Sequence, residues 1–142
     1  MKTVKQLLST KSADIFSVPA DTSVLNALRV MMEKNISALL VLEERQLLGI
    51  FTERDYARKI ILQGKASADT LLSEVMTADP ITVSPGDSLD HCMQTMTDKH
   101  IRHLPVIQEN LLIGMVSIGD VVKFIMEDQK QTISQLENYI SS

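Results

Sequence analysis

Two stretches of this chain place a hydroxyl and a carboxylate three residues apart, behind a glycine and two apolar residues. The first is Gly49-Ile50-Phe51-Thr52-Glu53-Arg54-Asp55. The second, 65 positions on, is Gly114-Met115-Val116-Ser117-Ile118-Gly119-Asp120. Each follows an apolar run and precedes a helical pattern, so hydroxyl and acid fall at a strand-to-helix junction. A carboxylate there can accept hydrogen bonds from both hydroxyls of a ribose. A Ser or Thr backed by the N–H groups of a helix start can receive a phosphate or ribose oxygen. The plainer reading is a capping box, in which hydroxyl and acid satisfy the helix start and nothing else. A cap does not require the glycine and apolar strand ahead of each copy, which keeps the ligand reading open.

The elements that must position these groups are duplicated with them. Shifted by 65, residues 18–61 align with 83–126 without a gap and are identical at 12 of 44 positions, too many for unrelated stretches. The period is too long for most solenoid repeats and two copies are too few for an array. Two similar halves packed face to face fit better, each covering the other's apolar surface.

Within each half the order of elements is legible. Asp21-Thr22-Ser23 and Asp87-Ser88 supply N-caps for a helix carrying Val24, Leu25, Leu28, Met31 and Met32, or Leu89, Met93 and Met96. These helices end near Lys34-Asn35 and Lys99-His100, where a cation meets the negative end of the helix dipole. Two apolar runs follow, 38–42 and 47–51, then 104–107 and 111–116. Polar turns at Glu43-Glu44-Arg45-Gln46 and Gln108-Glu109-Asn110 join them as hairpins. A second helix covers 53–62 or 118–127, and a short strand, 16–18 or 81–83, opens each unit. The expected class is α+β with layered packing, each repeat reading β-α-β-β-α. Residues 1–64 form the first repeat with its lead-in, 65–128 a linker and the second repeat, and 129–142 a helical tail.

The linker Gln63-Gly64-Lys65-Ala66-Ser67-Ala68-Asp69-Thr70 is polar and small, and a short helix over 71–77 with Thr70 as its N-cap echoes Val4-Lys5-Gln6-Leu7-Leu8. The first lead-in, Leu8 to Val18, is three residues longer than Met76 to Val83, so two sites need not be equivalent. In the tail, Ile133, Leu136 and Ile140 recur at helical spacing, with Tyr139 beside them. Such a stripe ordinarily packs on its own domain; the sharper alternative is a dimer seam.

Bulk properties exclude several classes. A net charge of −4 and pI near 5.3 argue against nucleic-acid binding. No apolar run approaches the roughly 20 residues that cross a bilayer, and the first eight residues have no signal-peptide core. The single Cys92 fits a reducing compartment, and the expectation is cytoplasmic. With no Trp and few Tyr or Phe, an aromatic stacking platform for a base is not expected. His91, His100 and His103 lack the Cys or acidic neighbours of a zinc site. The methionines fall mainly at core positions of helices. No nucleophile-base pair or catalytic motif stands out, and no catalytic cofactor is implied.

These residues resemble a known family. The duplicated Gly-apolar-apolar-Thr/Ser-x-x-Asp units are similar to a tandem pair of CBS domains, named after cystathionine beta-synthase, packed through their sheets. The likeness is sharpest in Thr52-Glu53-Arg54-Asp55-Tyr56-Ala57-Arg58-Lys59, Ile101-Arg102-His103-Leu104-Pro105-Val106 and Ser117-Ile118-Gly119-Asp120-Val121-Val122-Lys123. The ending Leu136-Glu137-Asn138-Tyr139-Ile140 also looks like the small stand-alone members. The resemblance implies a regulatory, non-catalytic module that binds AMP, or alternatively ATP, ADP, NAD(H) or S-adenosylmethionine, in clefts between the repeats. It also implies a homodimer, a disk of four CBS units, that signals to a regulated enzyme partner.

By that resemblance Thr52 and Asp55 serve one site, Ser117 and Asp120 the other. Arg54, Arg58 and Arg102 are the candidate phosphate partners, since guanidinium offers paired donors. Arg102-His103 stands where the first repeat has Ser37-Ala38, and Arg54 is matched by Gly119, so the two sites are chemically unequal. Val83, Ile101, Leu104 and Pro105 complete the implied lining, and the second copy is the favoured site. The runner-up is a ligand-independent dimeric module that holds or inhibits another enzyme.

Overall fold

Each half is built on a hairpin whose turn holds two non-glycine residues at positive φ, Glu44 and Arg45 in the first, Glu109 and Asn110 in the second. Left-handed residues at both central positions match the right-handed twist of paired strands. The computed structural model describes residues 1–11 and 15–141. Among these the order is α1 (Val4–Leu8), β1 (Ser17–Val18), α2 (Val24–Lys34), β2 (Ala38–Glu43), β3 (Gln46–Thr52) and α3 (Glu53–Asp55). A π-helical run, Tyr56–Ile61, is followed by α4 (Leu72–Val75), β4 (Thr77–Ala78), α5 (Leu89–Lys99), β5 (His103–Gln108), β6 (Leu111–Ser117) and α6 (Ile118–Ser141). The longer first lead-in includes residues 12–14, which lie outside the described residues.

The expected caps are in place. Ser23 Oγ accepts from the Asn26 N–H at 3.1 Å and Ser88 Oγ from the His91 N–H at 3.0 Å. Both helices end on a left-handed residue, Asn35 at φ 54° and His100 at φ 55°, which ends the helix and turns the chain into its strand. Three local expectations need correction. Thr70 does not cap α4: its hydroxyl donates to the Ala66 carbonyl, and Glu74 instead accepts from the Leu71 N–H at 2.7 Å. Thr77 has left the helix for β4. Of 81–83, only Val83 makes a single parallel bridge, to Val106.

Alternation along the strands assigns two cores and a seam. Leu39, Val41 and Phe51 face the first half's helices, while Leu104, Val106 and Val116 face those of the second. Ala38, Leu40 and Ile50 meet Leu112, Ile107 and Met115, so the halves pack sheet to sheet as expected. The lead-ins cross over. Val4 and Leu7 of α1 are buried in the second half's core, and Leu72 and Val75 of α4 in the first half's. The main-chain docking is duplicated: Val4 N–H donates to Asp87 O and Leu72 N–H to Thr22 O, both at 2.9 Å. β4 then completes a four-stranded sheet, β1-β2-β3-β4, while β5 and β6 pair as a hairpin. Packing therefore does not follow the sequence boundary between the halves.

The helix after Ser117 runs unbroken to Ser141, and residues 129–141 are exposed throughout. The expectation that the tail packs on its own domain is overturned: Ile133 is 54% exposed, Leu136 57% and Ile140 82%.

The motif glycines admit the crossed lead-ins. A Cβ on Gly49 would stand 2.8 Å from the Thr77 carbonyl oxygen, a backbone atom, and one on Gly114 3.0 Å from Leu8 Cδ2, a side-chain tip. Gly49→Ala should therefore cost about 1–3 kcal/mol of overpacking strain, and Gly114→Ala less, because Leu8 can turn aside. Urea unfolding midpoints of the two variants check that order.

Candidate functional site

The local geometry of both junctions is the capping box read from the sequence. Thr52 is extended at φ −123°, ψ 166°, and its Oγ1 accepts from the Asp55 N–H at 3.2 Å. Asp55 Oδ2 in turn accepts from the Thr52 N–H at 3.1 Å. Ser117 and Asp120 repeat this at 3.1 and 3.0 Å. The caps fix both carboxylates against the ends of β3 and β6, where two clefts open.

The larger cleft, about 1050 Å³, is lined by residues of both halves. From the first come Ser37, Ile50, Thr52, Glu53, Arg54, Asp55, Arg58 and Lys59. From the region after α4 and from the second half come Thr77, Asp79, Pro80, Ile81, His100, Ile101, Arg102 and His103. Arg102 thus joins Thr52 and Asp55 rather than Ser117 and Asp120. The smaller cleft, about 460 Å³, has Lys11, Phe16, Ser37, Ala38, Leu40, His103, Ile113, Met115, Ser117 and Asp120 among its lining. Ser37 and His103 line both, with His103 Nε2 and Ser37 Oγ 3.4 Å apart.

Four residues expected at a site lie elsewhere. Val83 and Leu104 are buried in the second half's core, Pro105 is buried on the opposite face of β5, and none of the three lines either cleft. Gly119 is exposed on the first turn of α6 and lines neither cleft. Conversely, Lys59, Thr77 and Lys11 were not singled out from the sequence. Lys59 is signalled by its i+4 spacing from Asp55. Thr77 and Lys11 reach the sites only through the crossover of the lead-ins, which the sequence pattern does not reveal.

The two carboxylates are held differently. Asp55 Oδ1 receives Thr77 Oγ1 at 3.1 Å and Lys59 Nζ at 3.2 Å, and Oδ2 receives the Thr52 N–H and hydroxyl. All four of its acceptor positions are occupied. Asp120 Oδ2 takes Lys11 Nζ at 2.7 Å and the Ser117 N–H at 3.0 Å. Lys11 also donates to the Met115 carbonyl at 2.9 Å, so the chain's own cation stands in the smaller cleft. Burial works to raise the Asp120 pKa, but the bonds from Lys11 and Ser117 outweigh it and hold the carboxyl below its ordinary value.

Charge is distributed unequally. Arg54, Arg58, Lys59 and Arg102 line the larger cleft against Glu53, Asp55 and Asp79, while the smaller holds Lys11 against Asp120. Arg54 donates to the His100 carbonyl, tying the start of α3 to the end of α5 across the halves. Among the described residues, Arg58 and Arg102 make no hydrogen bond or ion pair. Cys92 is buried, which with the nearby Asp87 carboxylate pushes its thiol up to about 11, far from a reactive thiolate. Among the described residues no cluster of three or more His, Cys, Asp or Glu could hold a metal ion, and no helix is long and apolar enough to cross a membrane.

His103 sits between the clefts with a depressed pKa. Burial is the main cause, and the positive charges of Arg102 and Lys11 add to it against the opposing pull of Asp120 and Glu53. Its folded value lies below its unfolded one, so the imidazole's contribution is complete above about pH 6.5 and is lost as pH falls from there through the folded value. Asp120 acts in the same direction, but only below the ordinary carboxylate range. The urea midpoint should therefore decline as pH drops below about 6.5, and His103→Gln should flatten that part of the profile.

Comparison with known proteins places these features. The CBS domain family matches residues 4–62 and 72–127. The mitochondrial CBS domain-containing protein CBSX3 of Arabidopsis thaliana is 44% identical over 125 residues, covering 84% of this chain but 61% of its own length. The CBS domain-containing protein YhcV of Bacillus subtilis is 33% identical, with 85% and 84% covered. A solved putative signal-transduction protein with CBS domains from Burkholderia ambifaria shares 45% identity at a TM-score of 0.86, covering 90% of this chain and 96% of that one. The CBS domain pair of protein MJ0100, solved with 5′-methylthioadenosine and S-adenosyl-L-methionine, aligns at a TM-score of 0.78 and 25% identity, covering 90% and 98%.

Proposed function

The chain belongs to the CBS domain family, and from that premise we propose a regulatory module whose larger cleft takes a phosphorylated adenosine ligand, AMP foremost. The observation that carries this is that Arg58 and Arg102, from opposite halves and without hydrogen-bond or ion-pair partners among the described residues, line one cleft with Thr52 and Asp55. Guanidinium groups left free in a cleft are suited to paired bonds with phosphate. The MJ0100 pair was solved with adenosine compounds that lack phosphate, so adenosine itself is within the reach of this fold. The added cations argue here for AMP, with ADP, ATP and NAD(H) as longer alternatives and S-adenosylmethionine as the phosphate-free one.

On this reading ribose hydroxyls replace Thr77 and Lys59 on Asp55 Oδ1, and Lys59 is released toward the phosphate. The smaller cleft binds weakly, because Lys11 is engaged by Asp120 and no arginine is among its lining residues. Ligand in a cleft lined by both halves biases their relative placement, and a partner protein reads that bias. We take the signalling unit to be a homodimer in a reducing compartment such as the cytoplasm, which suits the free, buried Cys92. The saturated Asp55 carboxylate favours one other reading, a ligand-independent interaction module, whose complexes in a pull-down would ignore added nucleotide.

Calorimetry should give one strong AMP site per chain. Replacing Arg58 or Arg102 with Ala should weaken AMP roughly ten- to hundredfold, the loss of a charge-assisted pair of about 1.5–3 kcal/mol. Neither change should affect 5′-methylthioadenosine. Asp120→Ala should cost about 1 kcal/mol of stability as a lost cap and leave AMP affinity unchanged. Absence of heat and of thermal shift with every adenosine compound would sink the reading.

A further inference from the structure

Helix α6 carries two apolar stripes, and the fold of one chain uses only the first. Ile118, Val121, Phe124 and Ile125 pack on the second half's core. Continued along the helix, that stripe turns polar at Asp128, which pairs with Lys2 at 3.1 Å, and stays polar at Thr132 and Gln135. The second stripe is Val122, Met126, Ile133, Leu136 and Ile140, all exposed. With Gln129 between Met126 and Ile133, these positions follow one another in alternating steps of four and three residues. That is the seam of a coiled coil rather than the broader face of a helix that lies on its own domain.

We propose that this seam pairs with the same seam of a second copy as an antiparallel two-helix coiled coil. The proposal rests on the homodimer reading above and names the surface that makes it. The occupant follows from self-complementarity. Take Met126, Ile133 and Ile140 as one row of the seam and Val122, Gln129 and Leu136 as the other. Antiparallel pairing about a two-fold axis near Gln131 then sets Val122 against Ile140, Met126 against Leu136 and Gln129 against Ile133 of the second copy. Every exposed apolar residue of the stripe is covered over about 28 Å of helix, and the contact is isologous, as a closed dimer requires.

The flanking charges select the same direction. Lys123, Lys130 and Glu137 recur every seven residues beside the seam. Antiparallel helices bring like flanks together, so Lys123 of each copy meets Glu137 of the other, on both sides of the axis. Lys130 meets its own copy at the axis, one exposed like-charge contact against five apolar positions covered per chain. A parallel pair would set Glu137 against Thr132 and Lys130 against Ile125, with no opposite charges facing.

Sedimentation of the full chain over a concentration series, with circular dichroism and thermal melts as fold controls, tests this. The wild type should dimerise, and Leu136→Glu should sediment as a folded monomer at concentrations where the wild type is paired. Glu137→Lys turns two attractive contacts repulsive and should raise the dimer Kd roughly tenfold. Lys123→Glu combined with Glu137→Lys should restore it. A wild type that stays monomeric at every concentration overturns both the seam and the homodimer reading. A dimer that survives Leu136→Glu keeps the homodimer but overturns the seam. Failure of the double exchange to rescue overturns the antiparallel register.

Discussion

Neither half of this protein closes its own core. The segment ahead of each repeat docks on the other, through Val4 and Leu7 in one direction and Leu72 and Val75 in the other. Burying each such pair of aliphatic side chains contributes roughly 3–6 kcal/mol by area, comparable with the whole net stability of a small domain. The two repeats are therefore expected to fold as one cooperative unit. Much else follows from the exchange. Gly49 and Gly114 are glycines because a lead-in lies where a Cβ would be. β4 extends the first sheet, and the chain that follows it, Asp79-Pro80-Ile81, becomes one wall of the larger cleft.

The packing of the halves and the crossing of the lead-ins together decide which charges meet. Strand β5 starts opposite the end of β3, so Arg102 and His103 of the second repeat face Thr52 and Asp55 of the first. Lys11, carried past α1 toward the second repeat, reaches Asp120 at 2.7 Å. Each carboxylate is held by a lysine, Lys59 or Lys11, but the larger cleft also gains Arg58 and Arg102, which have no hydrogen-bond or ion-pair partner among the described residues. A duplicated sequence has produced two sites of unequal charge. The asymmetry comes from residues outside the repeated motif more than from Thr52 against Ser117.

The family fold was legible because its signals are local and doubled: Ser caps, a cation before each left-handed helix end, hairpin turns and a 65-residue period. The capping geometry of Thr52-Asp55 and Ser117-Asp120 was legible for the same reason. What sequence could not supply was which half each lead-in joins, since α1 and α4 are short and either packing satisfies their apolar residues. That is why Lys11 and Thr77 carry no signal in the sequence, whereas Arg102 meets the acid of the other repeat through the face-to-face packing of the halves. Val83, Leu104 and Pro105 enter the implied lining through the resemblance alone, which does not say which face of its strand each side chain takes. The tail was misread for a related reason. Its stripe is apolar enough to dock, but it is rotated by about a quarter turn from the stripe that α6 already uses.

The central claim is that a phosphorylated adenosine ligand enters the cleft shared by Thr52 and Arg102, and not the one closed by Lys11. Methyl-resolved NMR during an AMP titration tests this directly, because Ile81 and Ile101 line the larger cleft while Ile113 and Met115 line the smaller. Saturable shifts are expected at Ile81 and Ile101, complete at one equivalent, with Ile113 and Met115 unmoved. Shifts centred on Ile113 and Met115, or none at any of the four, would contradict it.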